Sequence, residues 1–185
     1  MSQIAENIKK IKGSLPDGVR LVAVSKYHTV EAVQEAYDAG QRIFGENKVQ
    51  ELLQKYPALP DDIEWHFIGH LQRNKVKMIV PFISLIHSID SPRLLAEVNN
   101  AAVKVGRVVD CLLQIHIARE ETKYGFSIDE CDEFLRGGEW KKFDYIRICG
   151  VMGMATFTDD ETEVREEFET LKQFFDRIKM SYFPN

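Results

Sequence analysis

The sequence predicts an α/β protein built on a parallel sheet, and two observations lead to that class. Short apolar, β-branched runs alternate with amphipathic stretches of helical period from Arg20 to the C-terminus. Several of these runs are almost continuously apolar, as is typical of strands covered by other elements on both faces. Repeated strand–helix units require right-handed crossovers, and we therefore expect the strands to be parallel.

Six apolar runs are predicted to be strands, and together with their helices they make six strand–helix units. The runs are residues 21–24, 42–44, 64–68, 85–89, 108–117 and 145–151. Periodicity does not decide between an open doubly wound sheet and a closed (β/α)8 barrel. A complete barrel usually needs about 200 residues or more, and the six units here occupy a chain of 185 residues. On the barrel interpretation, the chain stops two units short.

The helices are predicted from their capping residues as well as from their period. Residues 1–12 form an N-terminal helix, and Thr29 and Ser91 are suitable N-caps for later helices. Ser127 begins a segment with the spacing of a capping box, and the acidic run 159–161 opens the last helix. The buried stripe of this last helix is predicted to consist of Val164, Phe168, Leu171, Phe175 and Ile178.

Composition excludes several classes of protein. With 24 basic and 29 acidic side chains the net charge is −5, which argues against general affinity for nucleic acid. No run approaches the roughly 20 apolar residues of a membrane span, and the N-terminus lacks the apolar region of a secretory signal. We therefore expect a cytoplasmic protein. The three cysteines show no CxxC spacing, so neither a disulfide framework nor a metal site is expected.

Lys26 is the most informative single residue, because it follows directly after the first apolar run. Functional side chains of parallel α/β proteins gather at the carboxyl ends of the strands. A lysine placed there is expected to be partly desolvated, which favours the neutral amine, a nucleophile for a carbonyl group. The carbonyl could belong to a sugar or keto acid, as in Schiff-base aldolases, or to pyridoxal phosphate. A solvated loop lysine is the plain alternative.

Other strand ends add further candidates. Asn47 follows Gly45, a residue that would let the backbone approach a ligand closely, and Asn47 is also a suitable N-cap for residues 48–51. His66 is interpreted as a strand histidine with a satisfied hydrogen bond in the core. His70 begins a loop and is the better candidate for a ligand contact.

Six sequence motifs resemble one known family, in the order in which that family has them. They are Val-Ala-Val-Ser-Lys at 22–26, Phe-Gly-Glu-Asn at 44–47, the run 65–75, Ile-His-Ser-Ile-Asp-Ser at 86–91, Lys-Tyr-Gly-Phe at 123–126 and Gly-Val-Met-Gly-Met-Ala at 150–155. Together they resemble the pyridoxal phosphate homeostasis proteins, single-domain relatives of the N-terminal barrel of alanine racemase. The resemblance covers essentially the whole chain.

The resemblance implies a (β/α)8 TIM-type barrel in which residues 1–185 belong to one domain. It also implies pyridoxal phosphate held as a Schiff base on Lys26, with Asn47 beside the cofactor ring. His70, Ser88 and Met152 would line the mouth of the site. Members of the family are regarded as non-catalytic carriers or buffers of the cofactor, which suggests pyridoxal-phosphate-dependent apoenzymes as partners. A racemase-like enzyme is the main alternative, and a Schiff-base aldolase is another.

The C-terminus departs from the family pattern. Members of the family continue with a further strand and a glycine-rich segment, which supply much of the phosphate site. We therefore expect a form truncated after the sixth unit, with exposed strand edges and apolar surface and a less stable fold. Loss of backbone donors to the phosphate would leave pyridoxal phosphate binding weak or absent.

Overall fold

The sheet has six parallel strands arranged in the order in which they occur along the chain. The computed structural model describes residues 2–120 and 124–184. The strands are β1 (Ala23–Val24), β2 (Ile43–Glu46), β3 (Glu64–Phe67), β4 (Leu85–Ile89), β5 (Val109–Ile115) and β6 (Ile146–Gly153). Each predicted apolar run overlaps one of these strands, and β2 and β6 each extend two residues beyond the runs 42–44 and 145–151. The predicted parallel α/β class is confirmed.

One helix precedes the first strand, and the others connect the strands or follow the last of them. They are α1 (Gln3–Ser14), α2 (Val30–Asp38), α3 (Val49–Lys55), α4 (Val76–Ile79), α5 (Pro92–Val105), α6 (Ile128–Gly137) and α7 (Glu161–Tyr182). Short 3₁₀ turns occur at Tyr56–Ala58, Arg73–Lys75 and Glu139–Lys142. No helix in the described part of the chain is both long enough and apolar enough to cross a membrane.

The strand order distinguishes the two architectures that periodicity left open. A doubly wound sheet reverses its strand order at a switch point, whereas each strand of a (β/α)8 barrel pairs with the next one along the chain. Here β1 to β6 follow one another without reversal. Among the described residues, β1 pairs only with β2 and β6 only with β5, so the sheet is an open section of a barrel.

The hydrophobic core lies between the sheet and the helices. Side chains alternate between the two faces of a strand, and one set packs against the helices. Phe44, Trp65, Ile86 and Leu113 belong to this set and are all almost fully buried. The alternate positions carry more polar side chains, such as His66 in β3. The helix-covered face therefore holds the fold together, and the opposite face is left for polar groups.

Three of the predicted helix caps are confirmed. The hydroxyl groups of Thr29 and Ser91 accept hydrogen bonds from backbone N–H groups three residues ahead, at 3.3 and 3.2 Å. At the start of α6, Ser127 Oγ accepts from Glu130 N, and the Glu130 carboxylate accepts from Ser127 N at 2.8 Å. These bonds satisfy N–H groups that a helix leaves unpaired in its first turn.

The predicted stripe of α7 is partly wrong. Phe168 is 45% exposed, whereas Phe174, which lay outside the prediction, is only 3% exposed. The reason lies at Glu167, which is buried on this helix and accepts hydrogen bonds from Thr156 N at 2.7 Å and Thr156 Oγ1 at 2.6 Å. The helix is turned so that Glu167, Leu171, Phe174 and Ile178 face the protein.

Apolar side chains are exposed near both edge strands, as expected for an open barrel. Val24 in β1 is half exposed, and Met154, just beyond β6, is similarly exposed. Phe157, in the loop that follows β6, is 97% exposed. The described part of the molecule therefore presents apolar surface at the two edges of its sheet.

Candidate functional site

Lys26 lies in the tight turn that follows β1, at the carboxyl edge of the sheet. His28 N closes this turn by donating to Ser25 O at 3.1 Å. The Lys26 side chain is exposed, and no described residue lies within hydrogen-bond or ion-pair distance of its amine. The expected desolvation of Lys26 is therefore wrong for this structure. The predicted position at the end of the first strand is confirmed.

Asn47 lies at the end of the neighbouring strand β2, and Gly69 at the end of β3 is packed directly against it. A Cβ atom on Gly69 would be 2.7 Å from Asn47 Cα and 2.8 Å from Asn47 Cβ, closer than real atoms approach. Glycine at position 69 is therefore what allows the two strand ends to come together. The Asn47 side-chain oxygen is buried and has no hydrogen-bond partner in the described part of the chain.

One expectation around Asn47 is wrong. The N-cap of α3 is Lys48, without a side-chain capping bond, so Asn47 does not cap this helix. Gly45 makes room for protein side chains, because a Cβ there would lie 3.1 Å from Ile68 Cδ1 and 3.2 Å from Val22 Cγ1. The polar side chain of Asn47 is thus left without a structural role in the helix.

His70 is held by residues from two other strand ends. Its Nδ1 atom lies 3.0 Å from Asp90 Oδ2, just beyond β4, and its ring stacks on Tyr124 at a centroid distance of 4.0 Å. Tyr124 belongs to the segment after β5. A carboxylate on Nδ1 orients the imidazole so that Nε2 is free to donate to, or accept a proton from, a ligand. Lys123, part of the same sequence motif, lies outside the described residues.

Ser88 and Met152 come from β4 and β6. Ser88 is completely buried, and its hydroxyl has no hydrogen-bond partner among residues 2–120 and 124–184. Met152 is half-buried and pairs in register with Gln114 of β5. Because β1 and β6 are the two edges of the sheet, Lys26 and Met152 occupy opposite ends of the row of strand ends.

A histidine pair lies within the sheet. His66 Nδ1 and His87 Nε2 are 2.9 Å apart, so the prediction of a hydrogen-bonded strand histidine at His66 is confirmed. Burial lowers the pKa of His66 from 6.5 to about 4, with smaller contributions from His87 and Arg20. Burial also lowers the pKa of His87 to about 4. Both imidazoles are therefore neutral at pH 7.

Sequence reasoning missed a buried ion pair behind the Lys26 turn. Lys55 Nζ lies 2.6 Å from Glu46 Oε1 and donates to Ser25 O at 2.8 Å. Ser25 Oγ also donates to Glu46 Oε1, at 2.7 Å. The available signal was a glutamate inside an apolar strand followed by a lysine on the apolar stripe of the next helix.

The whole chain matches a protein-family model. Residues 1–185 match the model described as the N-terminal domain of alanine racemase. A pyridoxal phosphate homeostasis protein of Aquifex aeolicus is 34% identical over 192 aligned residues, which cover 98% of this chain and 81% of that protein. A protein of the same name from Helicobacter pylori is 39% identical, with coverage of 87% and 73%.

Solved structures show the same relationship. The PipY protein of Synechococcus elongatus, solved without pyridoxal phosphate, matches with a TM-score of 0.91 at 34% identity, covering 97% of this chain and 84% of that one. The form of PipY with the cofactor bound matches with a TM-score of 0.87. An alanine racemase of Clostridium difficile matches at 16% identity with a TM-score of 0.75, which shows a shared fold. The chain belongs to the family of pyridoxal phosphate homeostasis proteins, within the larger group that shares the N-terminal barrel of alanine racemase.

Proposed function

We propose that this protein binds pyridoxal 5'-phosphate covalently through Lys26 and serves as a cytoplasmic carrier or buffer of that cofactor. The observation that carries the proposal is an exposed amine just after β1, together with two buried oxygens that have no hydrogen-bond partner among the described residues: Asn47 Oδ1 just after β2 and Ser88 Oγ near the end of β4. The relationship to PipY, which binds the cofactor, supports it. We place the six strand–helix units in a single cofactor-binding domain.

The residues present suit the chemistry of this cofactor. Its aldehyde requires a primary amine, and Lys26 offers one without an ion-pair partner among the described residues. Its ring carries a hydroxyl group and a nitrogen, which need polar partners. The unpartnered oxygens of Asn47 and Ser88 are such partners, because buried polar groups are normally hydrogen-bonded. His70 and Met152 complete the proposed lining.

The chemistry at Lys26 is a single reversible condensation. The amine nitrogen forms a double bond to the aldehyde carbon, and the aldehyde oxygen leaves as water. Sequestration in this form keeps a reactive aldehyde from other amines, and hydrolysis or exchange with another lysine releases it. We propose pyridoxal-phosphate-dependent apoenzymes as the recipients.

Absorbance spectroscopy followed by peptide mapping tests the proposal. The protein is incubated with pyridoxal phosphate, its spectrum is recorded, and borohydride then fixes any adduct for mass analysis. We expect a yellow absorbance band and a reduced adduct on Lys26, because the covalent bond forms with the aldehyde and not with the phosphate, whose binding site the sequence predicts to be incomplete. The Lys26→Ala variant is expected to lose both signals, whereas Lys10→Ala, on the exposed surface of α1, retains them. Absence of the band, or adducts scattered over surface lysines, would overturn the proposal.

One observation favours a second function, that of an amino-acid racemase-like enzyme. His70 is oriented by Asp90 and stacked on Tyr124, an arrangement suited to moving a proton. Proton NMR in D2O with a panel of L-amino acids and bound cofactor separates the two functions. A carrier leaves the α-hydrogen in place, whereas a racemase replaces it with deuterium and loses that activity in His70→Gln.

A further inference from the structure

Two oppositely charged side chains are buried directly behind the Lys26 turn. Glu46 is 0% exposed and Lys55 is 5% exposed. Their charged atoms lie 2.6 Å apart, and a second carboxylate, that of Glu51, lies 3.8 Å from the same amine. A buried ion pair rarely stabilises a fold more than well-packed apolar residues would. A pair at this place therefore calls for an explanation other than stability.

The pair is tied to the residue that immediately precedes Lys26. Lys55 Nζ donates to Ser25 O, which is the carbonyl of the peptide bond leading into Lys26. Glu46 accepts from the Ser25 hydroxyl, and Ser25 N donates to Gly45 O at 3.0 Å. The N–H, carbonyl and hydroxyl groups of Ser25 therefore all take part in hydrogen bonds, and its side chain is buried towards Glu46 and Lys55.

The residue that follows Lys26 is fixed by the same helix. Tyr27 has a φ of +66°, in the left-handed region that non-glycine residues seldom adopt. Its side chain is 72% exposed, so core packing does not impose this conformation. Tyr27 N instead donates to Glu51 Oε2 at 3.0 Å. Glu51 and Lys55 are neighbours one turn apart on α3 and therefore hold both ends of the Lys26 peptide segment.

We propose that Lys55, together with Glu46 and Glu51, positions the amine of Lys26 for reaction with an aldehyde. The bonds to Ser25 O and Tyr27 N fix the backbone immediately before and after Lys26, and the direction of the Lys26 side chain is fixed with it. The three residues do not touch the cofactor; they fix the backbone that carries its amine. The inference rests on the proposed function of Lys26.

The kinetics of adduct formation on Lys26 test this inference. The rate is followed by absorbance with pyridoxal phosphate, and the site is assigned by borohydride reduction and peptide mapping. Pyridoxine 5'-phosphate, which lacks the aldehyde, measures non-covalent affinity by calorimetry. We expect Lys55→Met to slow the Lys26 adduct about 10- to 100-fold, because small misplacements of a reacting group have effects of that size. The affinity for pyridoxine 5'-phosphate is expected to stay within about threefold, because the buried pair lies behind the turn.

Further variants separate positioning from folding. Lys55→Arg keeps a buried cation and is expected to restore most of the rate. Glu51→Ala frees Tyr27 N without leaving a buried charge unpaired, and it provides the decisive slow variant if Lys55→Met does not fold. Gln50→Ala, on the exposed face of the same helix, is the matched control and is expected to react like the parent protein.

Two results would overturn the inference while leaving the proposed function intact. One is an unchanged Lys26 rate in both Lys55→Met and Glu51→Ala. The other is a parallel loss of the adduct and of pyridoxine 5'-phosphate affinity, which would indicate a purely structural role. If the parent protein itself forms no adduct on Lys26, the proposed function fails and this inference fails with it.

Discussion

The neutral pair His66–His87 makes the fold sensitive to acid. Both imidazoles have a pKa lowered from 6.5 to about 4, and burial is the main cause. In the unfolded chain each has its ordinary pKa. Between these two values the unfolded chain therefore binds more protons than the folded protein, and stability rises with pH.

We expect the free energy of unfolding to be highest above pH 6.5 and to fall as the pH is lowered towards 4. The loss is about 2 kcal/mol, because two partly desolvated groups take up protons only on unfolding. Urea denaturation at a series of pH values measures it. The double variant His66→Gln/His87→Gln is expected to flatten this dependence, whereas His28→Gln, at an exposed histidine, leaves it unchanged. Equal slopes in all three proteins would contradict the assignment.

Gly69 is expected to tolerate no side chain. In Gly69→Ala the added methyl group would collide with the backbone of Asn47, and the strand ends would have to separate. We expect a loss of about 1–3 kcal/mol, the usual cost of overpacking, together with weaker binding of pyridoxine 5'-phosphate. Gly13→Ala is the control: it has open space around it in α1 and is expected to be neutral or slightly stabilising. The urea midpoints of the two variants measure this difference, and an unchanged midpoint in Gly69→Ala would contradict the prediction.

At the scale of single residues, the sequence predicted which residues lie at strand ends, but it did not predict their hydrogen-bond partners. Lys26 and Asn47 do lie at strand ends, because each directly follows an apolar run. The partners of Lys55 could not be predicted, since Ser25 lies 30 residues away in sequence and its carbonyl has no sequence signature. The sequence left a desolvated and a solvated Lys26 both open, because the exposure of this side chain depends on which side the turn faces.

At the scale of elements, α7 offers a direct comparison of two phenylalanines on one helix. Phe174 is buried and Phe168 is half exposed. We expect Phe174→Ala to cost about 3–5 kcal/mol, the range for a core aromatic residue. Phe168→Ala is expected to cost less than about 1 kcal/mol, as surface substitutions usually do. Thermal denaturation followed by circular dichroism measures both, and a larger loss in Phe168→Ala than in Phe174→Ala would show that α7 packs through the predicted stripe instead.

Capping residues and apolar runs made the positions of helices and strands predictable. The rotation of a helix about its own axis was not predictable from them. Ser91 and Ser127 sit where local hydrogen bonding alone favours a helix start, so their role follows from a few neighbouring residues. The face that α7 buries depends on Glu167, whose carboxylate binds Thr156 in a preceding loop. Because Glu167 is buried by its hydrogen bonds to Thr156, 11 residues earlier, the buried face of α7 differs in part from the face that the hydrophobic period predicts.

At the scale of the whole molecule, the two tryptophans report on opposite halves of the sheet. Trp65 is buried in β3, and Trp140 lies after α6, where its Nε1 donates to Leu135 O at 3.0 Å. A single domain is expected to unfold in one step, so within each of the variants Trp65→Phe and Trp140→Phe the fluorescence of the remaining tryptophan should give the same urea midpoint as circular dichroism. Control midpoints come from circular dichroism. Separated midpoints would show two folding units.

The architecture as a whole was only partly accessible from the sequence. Alternation of runs and helices predicts parallel strands, but it is equally compatible with a reversed strand order. The order β1 to β6 depends on which edge of the sheet each new strand joins, and the alternation of runs and helices does not specify that edge. Resemblance to a known family, not periodicity, indicated the barrel.

The unreversed strand order has a consequence for how the protein is made. Each strand emerging from a ribosome finds its partner already synthesised, because that partner is always the preceding strand. Folding can therefore proceed co-translationally from the N-terminus, with few long loops to close. The Lys26 turn and its supports Glu46, Glu51 and Lys55 all lie within one stretch of nascent chain. All of these residues are synthesised before Ser88 and Met152, the more C-terminal members of the proposed site.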